Sequence, residues 1–304
     1  MSTTDRSIFI VVHGGRAEAR NVAIDAVVQL RQLGIKVTVG ESDDLDGALS
    51  QAGALVIPTD CLPDAELALV FGGDGTVLRA AEAVHGRGIP LLGFNLGHVG
   101  FLAEAETDHL EHVVRAIANR EYHVESRMAL SVNVQRADGQ PTSEDVWSSW
   151  ALNEVSVERS SEPRVLEIGV CIDGEPLSRY GCDGIVCASA TGSTAYAFSS
   201  GGPVIWPQVE AFSVVPVSAH ALFSRPLIVA PTSSITIEIL SSHGAYLWAD
   251  GRRGTALAVG DLVAVHRHPA PVQFARVHAA PFTRRLVAKF QLPVAGWREQ
   301  RGSL

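Results

Sequence analysis

The sequence predicts two fold classes in one chain: an α/β domain with a parallel sheet over residues 1–125, then an all-β domain of antiparallel, sandwich-like sheets over residues 126–281. Three observations predict this. Short apolar runs alternate with helical stretches up to Asn119. Beyond that, segments alternate polar and apolar residues one by one. Finally, Asp138-Gly139, Asp173-Gly174 and Asp250-Gly251 each stand between strand-like runs, and Asp-Gly is a strong tight-hairpin signal. The 304 residues suffice for two domains of about 150 residues each.

The elements follow in order. Ile8 to Val12 is a short apolar run ending at Gly14-Gly15 and reads as a buried strand. Ala17 to Leu33 carries Val22, Ala23, Ala26, Val27 and Leu30 on one helical stripe. Gly34 ends that helix, and Ile35 to Val39 is the second strand. Asp43 to Thr59 shows no clear period. Leu67 to Phe71 is a strand running into Gly72-Gly73-Asp74-Gly75. Thr76 to His85 reads as a helix, Ile89 to Phe94 as a strand and Asp108 to Asn119 as a further helix. Strand, helix, strand in this order implies a parallel sheet with helices on its faces. In the second half, Ser131 to Gln135 and Ser234 to Ile239 alternate as half-buried strands do.

Composition narrows the function. Apolar residues make up 46% of the chain, enough for sizeable cores. With 33 acidic against 24 basic residues the net charge is −9, which disfavours a nucleic-acid face or a polybasic membrane anchor. Lys36 and Lys289 are the only lysines and neither follows a glycine, so a Walker phosphate loop is excluded. Cys61, Cys171, Cys182 and Cys187 have no C-x-x-C spacing, which argues against a zinc ribbon or a disulfide framework. No dedicated protein metal site is expected. The start lacks a signal-peptide apolar region, and no stretch of about 18 apolar residues suggests a membrane span. A soluble protein of a reducing cytoplasm is expected. There is no G-x-G-x-x-G after a strand, no G-x-S-x-G and no H-E-x-x-H, so nicotinamide oxidoreductases of the usual Rossmann type, serine hydrolases and zincins lack support.

Three local features carry chemistry. Gly72-Gly73-Asp74-Gly75-Thr76 joins a strand to a helix, where glycines let backbone N–H groups approach phosphate and the helix N-terminus favours anions. Asp74 itself would repel phosphate; it suits a hydroxyl, or a metal that bridges to phosphate. A turn with an N-capping aspartate is the plainer reading, and the five letters alone leave both open. Thr191 to Tyr196, followed by Ser199-Ser200-Gly201-Gly202-Pro203, packs hydroxyls and glycines around one tyrosine and suits a polar ligand. A Ser/Gly-rich surface loop is the alternative, against which the apolar lead-in Gly184 to Ala190 weighs. Asn153-Glu154 interrupts an apolar strand, and Asp183 precedes another. Buried, these groups would need partners; taken alone, a solvent-facing strand end explains them as well. His220 reads as structural, and the pairs His109/His112 and His266/His268 as surface.

In order, these motifs resemble the NAD kinase family. The matching pieces are Gly72 to Thr76, Gly93 to Leu102, Asn153-Glu154, Asp183-Gly184, Thr191 to Tyr196 with Gly201-Gly202-Pro203, Pro216 to His220 with Arg225-Pro226, and Asp250-Gly251. They span roughly residues 8–297. Lipid kinases and phosphofructokinases share the GGDG turn, but not the T-G-S-T-A-Y loop. Arginine richness and the tail from Lys289-Phe290 to Gly296-Trp297 look actinobacterial.

The resemblance implies phosphoryl transfer to the 2′-hydroxyl of the adenosine ribose of NAD, giving NADP. It implies ATP or inorganic polyphosphate as donor and Mg²⁺ held with the substrate phosphates. It also implies that the tail, 282–304, returns to the first domain. A homodimer or homotetramer is expected, with NAD-site residues shared between subunits. By position, Asp74 takes or orients the hydroxyl proton; a carboxylate is a weak base at neutral pH, so positioning should supply more than basicity. Gly72, Gly73, Gly75 and Thr76 would shape the donor-phosphate turn, and Arg79, one helical turn on, would reach a phosphate. Asp74, Gly75, Arg79, Asn153, Glu154, Arg164, Asp183, Thr194, Ala195, Tyr196, Ser199 and Arg252 would contact NAD. Arg252 stands where many members have glutamine. Two other readings were weighed: a lipid kinase, disfavoured by the missing membrane-binding stretch, and an NAD-sensing module, disfavoured by Asp74 beside a phosphate loop.

Overall fold

The computed structural model describes residues 6–44, 46–58, 65–96, 100–103, 105–106, 110–137, 147–160, 164–277 and 281–294. The first elements are β1 (Ser7–Val12), α1 (Ala17–Gln32), β2 (Lys36–Gly40), α2 (Ala48–Gln51), β3 (Leu55–Ile57), β4 (Leu67–Phe71), α3 (Asp74–Ala83), β5 (Leu91–Asn95), β6 (Ala105–Glu106), α4 (Leu110–Asn119) and β7 (His123–Arg127). Strands follow: β8 (Leu130–Gln135), β9 (Trp147–Ala151), β10 (Glu154–Arg159), β11 (Leu166–Ile172), β12 (Glu175–Cys182) and β13 (Gly184–Ser189). After α5 (Tyr196–Ser199) come β14 (Phe212–Val217), β15 (Leu227–Val229), β16 (Ile235–Ile239), β17 (Ala245–Ala249), β18 (Arg253–Leu257) and β19 (Leu262–Arg267). The chain closes with β20 (Val272–Arg276) and α6 (Phe282–Phe290).

The chain divides into two compact units. One runs to Ser126 and resumes at Val272; the other is Arg127–Pro271. The first contains an eight-stranded sheet in the order β3-β2-β1-β4-β5-β20-β7, with β6 beside β5. Neighbours β1/β2, β1/β4, β4/β5 and β5/β20 run parallel. Its strands read as continuous apolar runs because both faces are covered. Ile8, Ile10, Leu69, Phe71 and Phe94 share one core with Ala23, Val27 and Leu30 of α1 and Val113, Val114 and Ile117 of α4. Each large apolar side chain buried there contributes roughly 1.5–3 kcal/mol.

The sequence ran the β domain on to residue 281. The strand register moves that point, because Phe274 pairs with Leu91 and so joins β20 to the first sheet. Helix α3 starts at Asp74 rather than Thr76: both Thr76 and Val77 donate N–H bonds to the Gly73 carbonyl, so the helix begins despite Gly75. The stretch from Asp43 showed no period because α2 and β3 span only four and three residues.

The second unit is a pair of six-stranded sheets, β15-β14-β13-β10-β17-β18 and β12-β11-β16-β19-β8-β9. Their inner faces meet in one core that holds Val155, Ile185, Cys187, Phe212 and Leu247 from one sheet and Val132, Ile168, Ile237 and Val263 from the other. Asp173-Gly174 and Asp250-Gly251 turn the β11/β12 and β17/β18 hairpins with positive φ at both residues, the geometry that Asp-Gly favours. Asp138-Gly139 lies outside the described residues. No helix is long and apolar enough to cross a membrane among the described residues.

Candidate functional site

In the first sheet the strand order reverses between β1 and β4, with β2 beyond one and β5 beyond the other. Open α/β sheets bind ligands outside the carboxyl ends of the strands at such a point. Here those ends lead into His13-Gly14-Gly15 and Gly72-Gly73-Asp74. Asp74 opens α3, where a negative side chain favours the helix dipole. It does not cap the helix; the cap residue is Gly73. Its carboxylate instead accepts the N–H of Phe101 at Oδ2 and of Leu102 at Oδ1, both at 3.1 Å. A Cβ on Gly100 would lie 2.4 Å from Oδ1, so only glycine lets this segment come so close. A carboxylate has about four acceptor positions, and the bonds from the described residues leave about two for a ligand.

The other residues expected in this turn divide. A Cβ at Gly73 or Gly75 would meet nothing within 4 Å, so that side of the turn is open. Gly72 lies against Thr76, which is buried and packs the turn from beneath rather than facing a ligand. Arg79 does not point free into solvent. Its Nη2 donates to the carbonyl of Val12 at 2.5 Å and to Asp43 Oδ1 at 2.7 Å, which ties α3 to the end of β1. Gly97-His98-Val99 of the second motif lie outside the described residues.

In the second unit, the chain leaves one sheet at the end of β9 and enters the other at β10. Asn153-Glu154 sits at this crossing, and both residues are buried. Three consecutive N–H groups there need acceptors, and the Asp250 carboxylate supplies them: Leu152 at 2.9 Å, Asn153 at 2.7 Å and Glu154 at 3.3 Å. Arg253 adds a bond to Asp250 Oδ2 at 3.0 Å, with its guanidinium 4.6 Å from the centre of the Trp150 ring. Burial raises the pKa of Asp250, while the three N–H groups and Arg253 pull it down. All four partners are donors, so they complement the ionised form.

Glu154 is held differently. Burial first, then the charge of Asp250, push its pKa up to about 8, against the pull of the Tyr196 N–H. Its Oε2 is buried with no hydrogen-bond partner among the described residues. When ionised, this oxygen can accept a hydrogen bond that none of the described residues donates.

The Thr191 to Tyr196 loop is clamped over the same crossing. Ser189 Oγ donates to the Leu152 carbonyl at 2.5 Å, and Ser189 N–H to the Asn153 carbonyl at 2.9 Å. A Cβ on Gly192 would fall 2.0 Å from that Asn153 oxygen. Ser193 is buried and bridges Ala190 and Ile205. The loop is therefore ordered by its hydroxyls and is no free linker. It leaves Tyr196 and Ser199 exposed, with Thr194 and Ala195 half-buried. Burial, then the charges of Glu158, Glu154 and Asp183, raise the pKa of Tyr196. Asp183 pairs with Arg159 at 3.1 Å. Arg164 contacts His243 at 3.2 Å on the turn before β17, and Arg252 is exposed beside the Asp250 hairpin.

Sequence reasoning missed three parts. Asp250 was read as a hairpin residue and as part of a matching motif, with no N–H partners assigned to it. The donor role of the Gly100 to Leu102 segment was unseen, since it works through backbone N–H groups. Asp43, the partner of Arg79, lay in the stretch without a period.

A parallel sheet with a clasped aspartate at its switch point, on one chain with a β unit that presents a buried Asn-Glu pair, fits a kinase of non-Walker type. Residues 8–122 match the model of the ATP-NAD kinase N-terminal domain, and residues 152–277 that of the ATP-NAD kinase C-terminal domain. The chain belongs to the NAD kinase family. It is 49% identical over 302 residues to an NAD kinase of Thermobifida fusca (97% of this chain, 92% of the relative). It is 49% identical over 300 residues to NAD kinase 2 of Streptomyces avermitilis (97% and 98%). The named relatives are mostly actinobacterial. The fold is like that of yeast NADH kinase crystallised with NADH, at TM-score 0.87 and 24% identity over 96% of this chain and 89% of that one. It is also like an Archaeoglobus fulgidus NAD kinase in complex with ATP, at TM-score 0.69 and 24% identity over 94% and 99%.

Proposed function

We propose that this chain phosphorylates the 2′-hydroxyl of the adenosine ribose of NAD, with ATP as donor, and so makes NADP. The observation that carries this reading is Asp74: an aspartate fixed by two N–H groups at a sheet switch point, with acceptor positions to spare. It would accept the hydroxyl proton and aim the oxygen at the donor phosphorus. Phosphoryl transfer depends more on such positioning and on charge neutralisation than on a strong base. Gly73 and Gly75 line the open side of the turn and suit a phosphate. Asn153, Glu154, Tyr196 and their neighbours Asp183, Thr194, Ala195 and Ser199 would bind NAD, with Glu154 Oε2 accepting a ribose hydroxyl. Arg79, Arg164 and Arg252 take lesser roles.

Among the described residues no group of three or more His, Cys, Asp or Glu side chains is placed to hold a metal ion. This donor set fits a Mg²⁺ held mainly by substrate phosphates, where it would neutralise their charge. We place the protein in the cytoplasm as a homodimer or homotetramer. Exposed Trp206, Leu222 and Phe223 of the second unit support self-association, which light scattering would measure.

The test is an endpoint assay on purified protein with NAD, Mg²⁺ and either ATP or polyphosphate, read by an NADP-specific dehydrogenase. NADP in the ATP tube is expected; the second tube reports whether polyphosphate also serves. NAD binding without NADP in either tube would overturn the reading.

A further inference from the structure

The clasp on Asp74 has its own support, and that support comes from the returning C-terminal segment. The peptide group between Phe101 and Leu102 makes two contacts. Its N–H donates to Asp74 Oδ1 at 3.1 Å, and its carbonyl oxygen accepts Arg285 Nη1 of α6 at 3.0 Å. In a trans peptide these two groups point in opposite directions. Guanidinium, peptide and carboxylate therefore stand in series. A cation on the carbonyl oxygen polarises the amide and strengthens the N–H as a donor.

The next peptide is held as well. The Leu102 carbonyl accepts Arg276 Nη1 of β20 at 3.3 Å. Arg276 is buried, its Nε is 3.4 Å from Glu125 Oε2, and its guanidinium lies 5.3 Å from the Phe274 ring centre. The Phe101 ring lies 5.9 Å from Phe282 and 5.8 Å from Phe290, which flank Arg285 along α6. The returning segment thus grips the clasp by two carbonyls and one ring.

We propose that Arg285, with Arg276 behind it, is a positioning residue for Asp74: it fixes the Phe101–Leu102 peptide, whose N–H holds Asp74 Oδ1, while Arg276 holds the peptide that follows. This rests on the role given to Asp74 under the proposed function. A carboxylate free to turn would keep its charge and lose its alignment, and misalignment of a reacting group lowers the rate of the chemical step.

The experiment measures kcat, KM for NAD and the melting temperature of wild type, Arg285→Gln, Arg285→Lys, Asp74→Asn and the Arg285→Gln/Asp74→Asn double variant. Arg285→Gln is expected to lower kcat about tenfold with KM for NAD within about twofold, the signature of an interaction that matters in the transition state. Arg285→Lys should recover part of the loss, since lysine restores the charge without the fork. In the Asp74→Asn background Arg285→Gln should cost nothing further, because the two act as one unit. An unchanged kcat in Arg285→Gln, or a loss that multiplies with that of Asp74→Asn, would overturn the proposal. Should Arg285→Gln not fold, Arg285→Lys decides: a kcat reduced about two- to fivefold at constant KM supports it, and wild-type kcat refutes it. Wild-type protein that makes no NADP would instead refute the proposed function, and this inference with it.

Discussion

Asp74 and Asp250 are the same residue in the same local spelling. Each is followed by glycine, and each is caught by consecutive backbone N–H groups. Asp250 is the saturated case. Its Oδ1 accepts from Asn153 and Glu154, and its Oδ2 from Leu152 and Arg253. Its side chain is 2% exposed. Among the described residues, Asp74 accepts from Phe101 and Leu102, one bond on each oxygen. A carboxylate has about four acceptor positions, so the described residues fill one aspartate and half-fill the other. A filled carboxylate holds the chain together; a half-filled one is fixed in direction and still able to meet a substrate. Unit by unit, that is the difference between a residue that builds a site and a residue that acts in it.

The largest effect should follow from Asp74→Asn. Asparagine preserves size and removes the charge and one acceptor. Loss of a proton acceptor lowers kcat by about 10²–10⁴. The fold should survive, because one lost N–H bond to a charged group costs roughly 1.5–3 kcal/mol. Initial rates of NADP formation and a thermal melt on the same sample check both halves. A kcat within tenfold of wild type would remove the distinction drawn between the two aspartates.

Asp250→Asn should do the reverse. Its backbone has φ of 54°, which asparagine tolerates, so the variant isolates the carboxylate. The amide group would turn an N–H₂ toward N–H donors and leave Arg253 without its anion. Breaking a buried pair of this kind costs roughly 3–5 kcal/mol. A drop in denaturation midpoint is the expected readout, with weaker NAD binding as the Asn153-Glu154 crossing loosens. Stability equal to wild type would mean that the four bonds are dispensable.

The contrast also explains what the sequence could show. The parallel sheet and the sandwich were legible because β1, β4 and β5 are unbroken apolar runs and the Asp-Gly hairpins carry their own geometry. Asp74 was legible as a motif. Its partners were not, since Phe101 and Leu102 contribute backbone N–H groups that no side-chain letter encodes. Asp250 was read correctly as a hairpin residue but incompletely: a hairpin aspartate with positive φ explains its letters fully, and nothing in the letters says which N–H groups lie opposite 96 to 98 residues earlier. Arg79 looked free because its partner Asp43 sits in a stretch too short to show a period. Local chemistry can be read from spacing, whereas long-range acceptors need the register of the sheets.

Glu154 extends the comparison to a third carboxylate, one whose Oε2 has no donor among the described residues. Burial and the neighbouring charge of Asp250 raise its pKa from 4.5 to about 8. The folded protein therefore holds a proton that the unfolded chain releases between those two values. The sign follows: a form that binds more protons is favoured at low pH, so this contribution to stability is complete below about 4.5 and lost as pH rises to about 8. Glu154→Gln cannot ionise and should remove that dependence. Denaturant unfolding of both proteins at pH 5 and pH 9 measures it, and other titrating groups cancel in the difference. Near the lower pH the two should be equally stable; at the higher one the variant should be more stable by on the order of 1–4 kcal/mol. Parallel curves would place Glu154 among the satisfied carboxylates with Asp250. A gain confined to high pH would identify the cost of keeping an acceptor open for NAD. In that case NAD binding near pH 7 should release a proton, because a ribose hydroxyl donating to Oε2 stabilises the ionised form. Calorimetry in buffers of different ionisation enthalpy would detect that proton directly.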